Sequence, residues 1–256
     1  MRRRDSLMPR IKKGNARHER PIRYAVYVTF LVLIVLLFET SSLYAAGKLG
    51  ESAYLVYASI AQSFVFSFVA IAYLFASGRG LKQAVARLGM ARKQWKNVYI
   101  AYGIAIFAAI FLLEILLGLF QAITGVQLPT NVAKLFSGLP LYFLLFSVFI
   151  APINEEILFR GFLVPGIGNV ILSGRKNVGK RTAAYKNAMW AGIILSALLF
   201  GVLHYLSYNS ISELIAAFVF GMIAGYVRIK KDSLYPSIVA HILVNFLGLL
   251  VLAVLI

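Results

Sequence analysis

A few polar side chains with acid–base chemistry interrupt otherwise apolar stretches of this chain. An ionisable group deep in a lipid bilayer costs about 2.5–3.5 kcal/mol on insertion scales, so each of them needs a structural or functional reason. The set is Glu155, Glu156, Arg160, His204, His241 and Asn245. Carboxylates and imidazoles are the groups that proteins use most often for general acid–base catalysis, which makes catalysis the hypothesis to test against simple packing.

The stretch NEEILFR, residues 154 to 160, places two neighbouring carboxylates and an arginine directly after an uncharged apolar run. On a helix, Glu156 and Arg160 lie four residues apart on one face, which predicts an ion pair in a supporting role. Glu155 points about 100° away from Glu156, so it faces a different neighbour. Glu155 is therefore the better candidate for the catalytic carboxylate.

Two of the three histidines in the chain lie inside apolar segments, whereas His18 belongs to a basic N-terminal tail. His204 ends the run FGVLH, and His241 is followed four residues later by Asn245, on the same helical face. Each buried polar group needs a partner in lipid, and these groups are the partners available to one another. We therefore expect the carboxylate, the two histidines and the amide to share one site.

The composition indicates a membrane protein. The 256 residues are 61% hydrophobic and 14% charged, whereas a soluble domain carries about 25% charged and 45–50% apolar residues. The net charge of +17 is concentrated in the tail and in short loops. Basic loops beside apolar spans follow from the positive-inside rule, so the charge does not predict nucleic-acid binding. Cysteine is absent, which excludes disulfides and thiolate chemistry.

The apolar segments predict an all-α fold, a polytopic transmembrane helical bundle of seven to eight spans. The seven clearest spans are Tyr24–Ala46, Ala53–Ala76, Val98–Ile123, Leu139–Phe162, Ala188–Leu206, Ile211–Val227 and Leu234–Ile256. Residues 1–23 form a basic cytoplasmic tail, and residues 24–256 form a single transmembrane domain. The alternation of basic loops places the N-terminus in the cytoplasm, and an eighth helix within 163–174 would change the side of the C-terminus. We expect an integral, multi-pass protein of the plasma membrane.

One difficulty concerns the depth of the histidines. If the fifth span begins at Ala188, His204 lies about 24 Å along it, whereas His241 lies only about 10 Å into the last span. A shared site therefore requires the fifth span to begin earlier, to tilt strongly or to bend at a glycine. The spacing of Gly221 and Gly225 in the sixth span is typical of closely packed helices.

In this order, the motifs resemble those of the CPBP family, the CAAX proteases and bacteriocin-processing enzymes also called Abi. The resemblance covers a catalytic core at about residues 140–250 and rests on four motifs. They are Glu155-Glu156-x-x-x-Arg160, Phe200-x-x-x-His204, Phe218-x-x-Gly221-x-x-x-Gly225 and His241-x-x-x-Asn245. The resemblance implies an intramembrane endopeptidase that often has eight spans. It implies that Glu155 and His204 activate a water, that His241 and Asn245 complete the site, and that Glu156 and Arg160 support it.

Two chemistries are open to these residues. Glu155, His204 and His241 are a recognised zinc-ligand combination with one open position for water, and Glu156 would then serve as the base. Without a metal, Glu155 acts as the general base, and His241 and Asn245 donate hydrogen bonds to the oxyanion. We favour the second chemistry because an amide suits an oxyanion donor better than a ligand. Both chemistries stay open at this point, so the expected cofactor is either a divalent metal such as zinc or none.

The expected partners are the lipid bilayer and a membrane-associated protein or peptide substrate, with no nucleic acid. Two other functions compete with proteolysis. A catalytically silent scaffold or bacteriocin-immunity-type protein would use the same spans to bind a partner. A transporter would use Glu155 and the histidines as a proton relay.

Overall fold

The computed structural model describes residues 80–126, 139–173, 175, 178–180 and 182–255, together with helical positions at 56, 59–61, 63–65, 67–68 and 70–71. The predicted basic tail, residues 1–23, and the predicted span Tyr24–Ala46 lie outside these residues. The predicted span Ala53–Ala76 is described only at the positions just given, which we call the 56–71 segment.

The described part of the chain is mainly helical, with six principal helices in addition to the 56–71 segment. They are α1 (Gly80–Leu88), α2 (Val98–Thr124), α3 (Leu141–Ile171), α4 (Ala183–Tyr208), α5 (Ile211–Lys231) and α6 (Tyr235–Leu255). Helices α2 to α5 are each long and apolar enough to cross a membrane. The chain is an integral membrane protein, and the predicted all-α transmembrane bundle is confirmed. The last five predicted spans correspond to α2 through α6.

Local signals explain where the helices begin and end. The Thr182 hydroxyl accepts a hydrogen bond from the backbone N–H of Tyr185, and the Ser210 hydroxyl accepts one from Glu213, so both residues act as N-caps. Asn209 and Asp232 end α4 and α5 in the left-handed conformation. Because of its cap, α4 begins five residues before the predicted start. An earlier start is one of the three arrangements of this span that we expected from the depth of His204.

Helix α3 is not a regular α-helix along its whole length. It is α-helical over Ala151–Glu156 and becomes a π-helix over Ile157–Leu163, before returning to α-helix at Val164–Ile171. The N–H of Val164 donates to the carbonyl of Phe159, a hydrogen bond between residues five apart. The hydroxyl of Ser196 on α4 donates to the same carbonyl at 3.0 Å. The site motif NEEILFR therefore spans the change from α-helix to π-helix, a feature that is frequent at functional sites.

Glycines bring the helix backbones close together around this junction. A Cβ at Gly221 would lie 2.8 Å from the Cβ of Ala197, and one at Gly225 would lie 3.1 Å from the Ile193 side chain. The close packing predicted from this spacing is confirmed. Gly192 on α4 also allows a close approach to α3, because a Cβ there would clash with the carbonyl oxygen of Val164.

The segment from α1 to Gln94 is bound to the turn between α5 and α6. The N–H of Leu234 donates to the carbonyl of Gly89 at 3.0 Å, and the Tyr235 hydroxyl donates to the carbonyl of Met90 at 2.7 Å. The Ser233 hydroxyl donates to the carbonyl of Gln94 at 3.1 Å. These bonds fix the start of α6, the helix that carries His241 and Asn245.

Candidate active site

Glu156 and Arg160 form a fully buried ion pair on α3. The Nη1 atom of Arg160 lies 2.9 Å from Oε1 of Glu156, and the two side chains are 1% and 0% exposed. The pairing predicted from their spacing is confirmed. Such a pair is stable in a low-dielectric environment only when both charges keep their partners.

His241 on α6 lies between the two neighbouring carboxylates. Its Nδ1 is 3.2 Å from Oε1 of Glu156, and its Nε2 is 3.7 Å from Oε2 of Glu155. Because a carboxylate accepts, Nδ1 carries the hydrogen of the bond to Glu156, and Nε2 is the nitrogen that faces Glu155. The Glu155 side chain is 26% exposed, whereas that of Glu156 is buried. Glu155 is thus the carboxylate that a ligand can reach, and Glu156 orients His241.

His204 on α4 is held in one tautomer by its own helix. Its Nδ1 lies 2.9 Å from the carbonyl oxygen of Phe200, an acceptor, so Nδ1 carries the hydrogen and Nε2 keeps its lone pair. The Phe200 ring contacts both imidazoles, with ring centroids 4.3 Å from His204 and 5.8 Å from His241. The two histidines therefore both pack against the ring of Phe200.

Aromatic rings complete the surroundings of Arg160. Its guanidinium carbon lies 4.1 Å from the ring centroid of Phe200 and 5.0 Å from that of Phe220. Its Nη2 makes no hydrogen bond to the residues that the structure describes. Cation–π attraction from these rings compensates part of the cost of burying the charge. The same Phe220 ring lies 4.9 Å from His241, so α5 also contributes to the site.

Asn245 lies one helical turn beyond His241 and contacts α3. Its side-chain amide donates to the carbonyl of Ser147 at 2.9 Å. An amide nitrogen has two hydrogens, and none of the described residues binds the second one. The structure brings Glu155, Glu156, Arg160 and His241 into direct contact, with His204 joined to them through Phe200.

The residues predicted as metal ligands do not converge as a ligand group. Among the described residues, no three His, Asp or Glu side chains are arranged to hold a metal ion. Glu155, His204 and His241 therefore do not fit a three-ligand zinc site in this structure, and no step is assigned to a metal.

Several residues that position the site are not among those predicted from the sequence. Asn154 is 7% exposed, and its amide donates to the Ser63 hydroxyl at 2.9 Å and accepts from the Ser67 hydroxyl. Ser196, whose hydroxyl donates to the carbonyl of Phe159 in the π-helix, is the second such residue. The signal for Asn154 was present, since an amide directly before two carboxylates in an apolar span also requires a partner.

The fold and site define a membrane-embedded helical protein whose core carries paired carboxylates and histidines. Residues 137–247, less than half of the chain, match the family described as type II CAAX prenyl endopeptidase Rce1-like. This segment contains all six predicted site residues, and the match confirms the resemblance to the CPBP family. At the level of the family, it supports a CAAX-type intramembrane peptidase.

A similar protein is known from Escherichia coli. This uncharacterized 24.3 kDa protein is 29% identical over 158 residues, which cover 61% of this chain and 66% of the relative. The chain thus spans slightly less than two thirds of that relative. No solved structure matches the chain.

Proposed function

We propose that this protein is an intramembrane endopeptidase that hydrolyses a peptide bond in a membrane-associated protein or peptide. The observation that carries the proposal is the position of His241, with Nδ1 at the buried Glu156 and Nε2 at the accessible Glu155. A buried carboxylate that orients an imidazole toward a second, accessible reactive group is the arrangement that hydrolytic sites use repeatedly. The family match over residues 137–247 supports the same reaction class.

In the proposed reaction, Glu155 is the general base. Its carboxylate removes a proton from water, and the resulting hydroxide attacks the carbonyl carbon of the scissile peptide bond. The Nε2 lone pair of His204 accepts the second O–H of that water and orients it. His204 suits this role because its Nδ1 hydrogen is already bound to the carbonyl of Phe200.

The oxyanion that forms next requires donors. In the proposal these are the Nε2–H of His241 and the second amide N–H of Asn245, each worth about 3 kcal/mol in comparable sites. The protonated Glu155 then gives its proton to the leaving nitrogen as the C–N bond breaks. Glu155 is thereby regenerated, and atoms and charge balance over the cycle.

The substrate is expected to be anchored at the membrane, because the site lies on helices that cross it. The matched family is that of the type II CAAX prenyl endopeptidases. We propose that the chain shares peptide-bond hydrolysis with that family, and prenylation of the substrate is a variable that the experiment must include.

The test compares the termini of membrane peptides in cells that express the wild type or Glu155→Gln at equal levels. New termini seen only with the wild type establish proteolysis and identify candidate substrates. Synthetic peptides covering those termini, with and without a prenyl group, are then incubated with purified protein in liposomes. Cleavage of the prenylated and unprenylated peptides at equal rates would exclude a requirement for the prenyl group.

Identical termini in both cell lines, and no cleavage of any identified peptide, would contradict the proposal. Binding of a membrane partner without cleavage would then favour the scaffold or immunity function. Proton-coupled flux in vesicles, lost in Glu155→Gln, would favour a transporter.

A further inference from the structure

A second polar cluster lies beside the candidate site, on the opposite side of α3 from His241. It consists of Asn154 on α3 and of Ser63 and Ser67 in the 56–71 segment, and we call it the Asn154 cluster. All three residues are more than nine-tenths buried. The amide nitrogen donates to Ser63, and the amide oxygen accepts from Ser67, so both ends of the amide are bound.

We propose that the Asn154 cluster is a positioning device that sets the rotation of α3 and thereby directs Glu155 toward His241. This inference rests on the proposed function, because it concerns the residue assigned there as the general base. Asn154 directly precedes Glu155 in the chain. A rotation of α3 about its axis that moves one of these side chains moves the other as well.

The location of the cluster at a change of helix type supports this role. The N–H of Ile157 is shared between the carbonyls of Ile153 and Asn154 at the last α-helical turn before the π-helix. A helix is easier to deform where its hydrogen-bond pattern changes. Ser196 fixes the far side of the junction through the carbonyl of Phe159, and Asn154 fixes the near side. Glu155 and Glu156 lie between these two anchors.

Apolar contacts alone leave the rotation of α3 less well determined. In lipid, a helix that rotates exchanges one apolar contact for another at little cost, whereas a buried amide that loses its partners has no water to replace them. The two serines are four residues apart and so face α3 together. They bind the oxygen and the nitrogen of one planar amide. The two bonds therefore fix the orientation of the Asn154 side chain as well as its distance from the 56–71 segment.

The decisive variant removes the whole cluster without leaving an unpaired polar group. Asn154→Leu combined with Ser63→Ala and Ser67→Ala replaces all three residues by apolar ones of similar or smaller size. Replacing every partner of a buried hydrogen bond by apolar groups has little effect on stability. A purely structural role therefore predicts a stable and fully active triple variant.

Under the proposal, the triple variant remains folded and binds peptide with an unchanged KM, but its kcat falls on the order of ten- to hundred-fold, as expected for a displaced catalytic group. A kcat within two-fold of wild type in a folded triple variant would overturn the proposal. If the triple variant does not fold, the test uses Ser67→Ala alone. This variant removes one of the two hydrogen bonds of the Asn154 side chain. A several-fold loss of kcat at constant KM supports the proposal, and an unchanged kcat contradicts it.

A second readout does not depend on proteolysis. A hydrophobic carbodiimide modifies membrane carboxyl groups, and mass spectrometry measures its rate at Glu155 and, as an internal control, at Glu114 on α2. We expect the rate at Glu155 to differ at least three-fold between the triple variant and the wild type, with that at Glu114 unchanged. Equal rates at Glu155 would overturn the inference even if no substrate were ever found. A wild type that cleaves nothing would refute the proposed function and leave this measurement valid.

Discussion

The Nδ1 atom of His241 lies 3.2 Å from Oε1 of Glu156, and the same oxygen lies 2.9 Å from Nη1 of Arg160. One buried carboxylate oxygen thus joins α6 to α3 and holds a cation on its other side. Because Glu156 is bound in this way, Glu155 is the carboxylate left to face the site. Two adjacent residues of the same type therefore have different roles, which their positions on the helix determine.

The first prediction separates these roles by a matched change of charge. Glu155→Gln should reduce kcat/KM by at least about 1000-fold, because the base that accepts the proton of water is lost. Glu114→Gln makes the same chemical change on α2, outside the set of proposed site residues, and should retain full activity. The measurement is cleavage of a peptide identified from wild-type termini, with equal protein in liposomes. Substantial activity in Glu155→Gln would remove this residue from the mechanism.

Residue spacing alone was sufficient to predict the Glu156–Arg160 pair and the close packing at Gly221, because both depend on helical periodicity. The apolar lengths likewise located α2 and α4 to α6 to within five residues, whereas α3 continues to Ile171, nine residues beyond the predicted end at Phe162. The partner of Glu156 on α6 could not be predicted, since the sequence does not give the rotation of one helix relative to another. The π-helix at Ile157–Leu163 was also missed, because it depends on tertiary contacts such as the hydrogen bond from Ser196.

The second prediction concerns the stability of the buried ion pair. Arg160→Met should destabilise the protein by about 3 kcal/mol, because Glu156 keeps its charge and loses its principal partner. Glu156→Gln combined with Arg160→Met should cost less than Arg160→Met alone, since no uncompensated charge remains. Unfolding by SDS in mixed micelles gives the free energies for this double-mutant cycle. Additive costs would show that the two side chains are not coupled.

The third prediction concerns His204. His204→Ala should lower kcat by about 100-fold and leave the protein folded, since the Nε2 lone pair that orients water is lost. Tyr205→Phe, the neighbouring aromatic position on α4, serves as the control and should keep its activity. Unfolding in SDS must be measured for both variants. A folded His204→Ala protein with wild-type kcat would show that water is activated without this histidine.

The fourth prediction addresses metal dependence. Since the described residues contain no group of three metal ligands, we expect dialysis against a strong chelator to leave cleavage unchanged. The metal content of the purified protein, measured by mass spectrometry before and after dialysis, accompanies the assay. Activity that disappears on chelation and returns with zinc would contradict the expectation and restore the role of Glu155, His204 and His241 as ligands.

The last prediction tests how the α1 segment holds the start of α6, the helix that carries His241. Gly89 has a φ of +86°, and a Cβ there would lie 3.0 Å from the Arg228 guanidinium and from the backbone nitrogen of Leu234. Arg228 is buried at 3% exposure and donates from Nη2 to the carbonyl of Arg87 at 2.7 Å. An added methyl group therefore strains the backbone and also displaces a buried cation.

A second glycine in the same segment separates these two effects. Gly80 has a φ of +72°, but a Cβ there would meet no atom of the described residues within 4 Å. Gly80→Ala should thus cost only the left-handed backbone term, about 1–2 kcal/mol. Gly89→Ala should cost at least about 1 kcal/mol more than Gly80→Ala, because the steric term adds to the backbone term. SDS unfolding measures both variants, and equal costs would show that Arg228 and Leu234 move aside freely. In that case the α1 segment would not constrain α6, and kcat in Gly89→Ala would match that in Gly80→Ala.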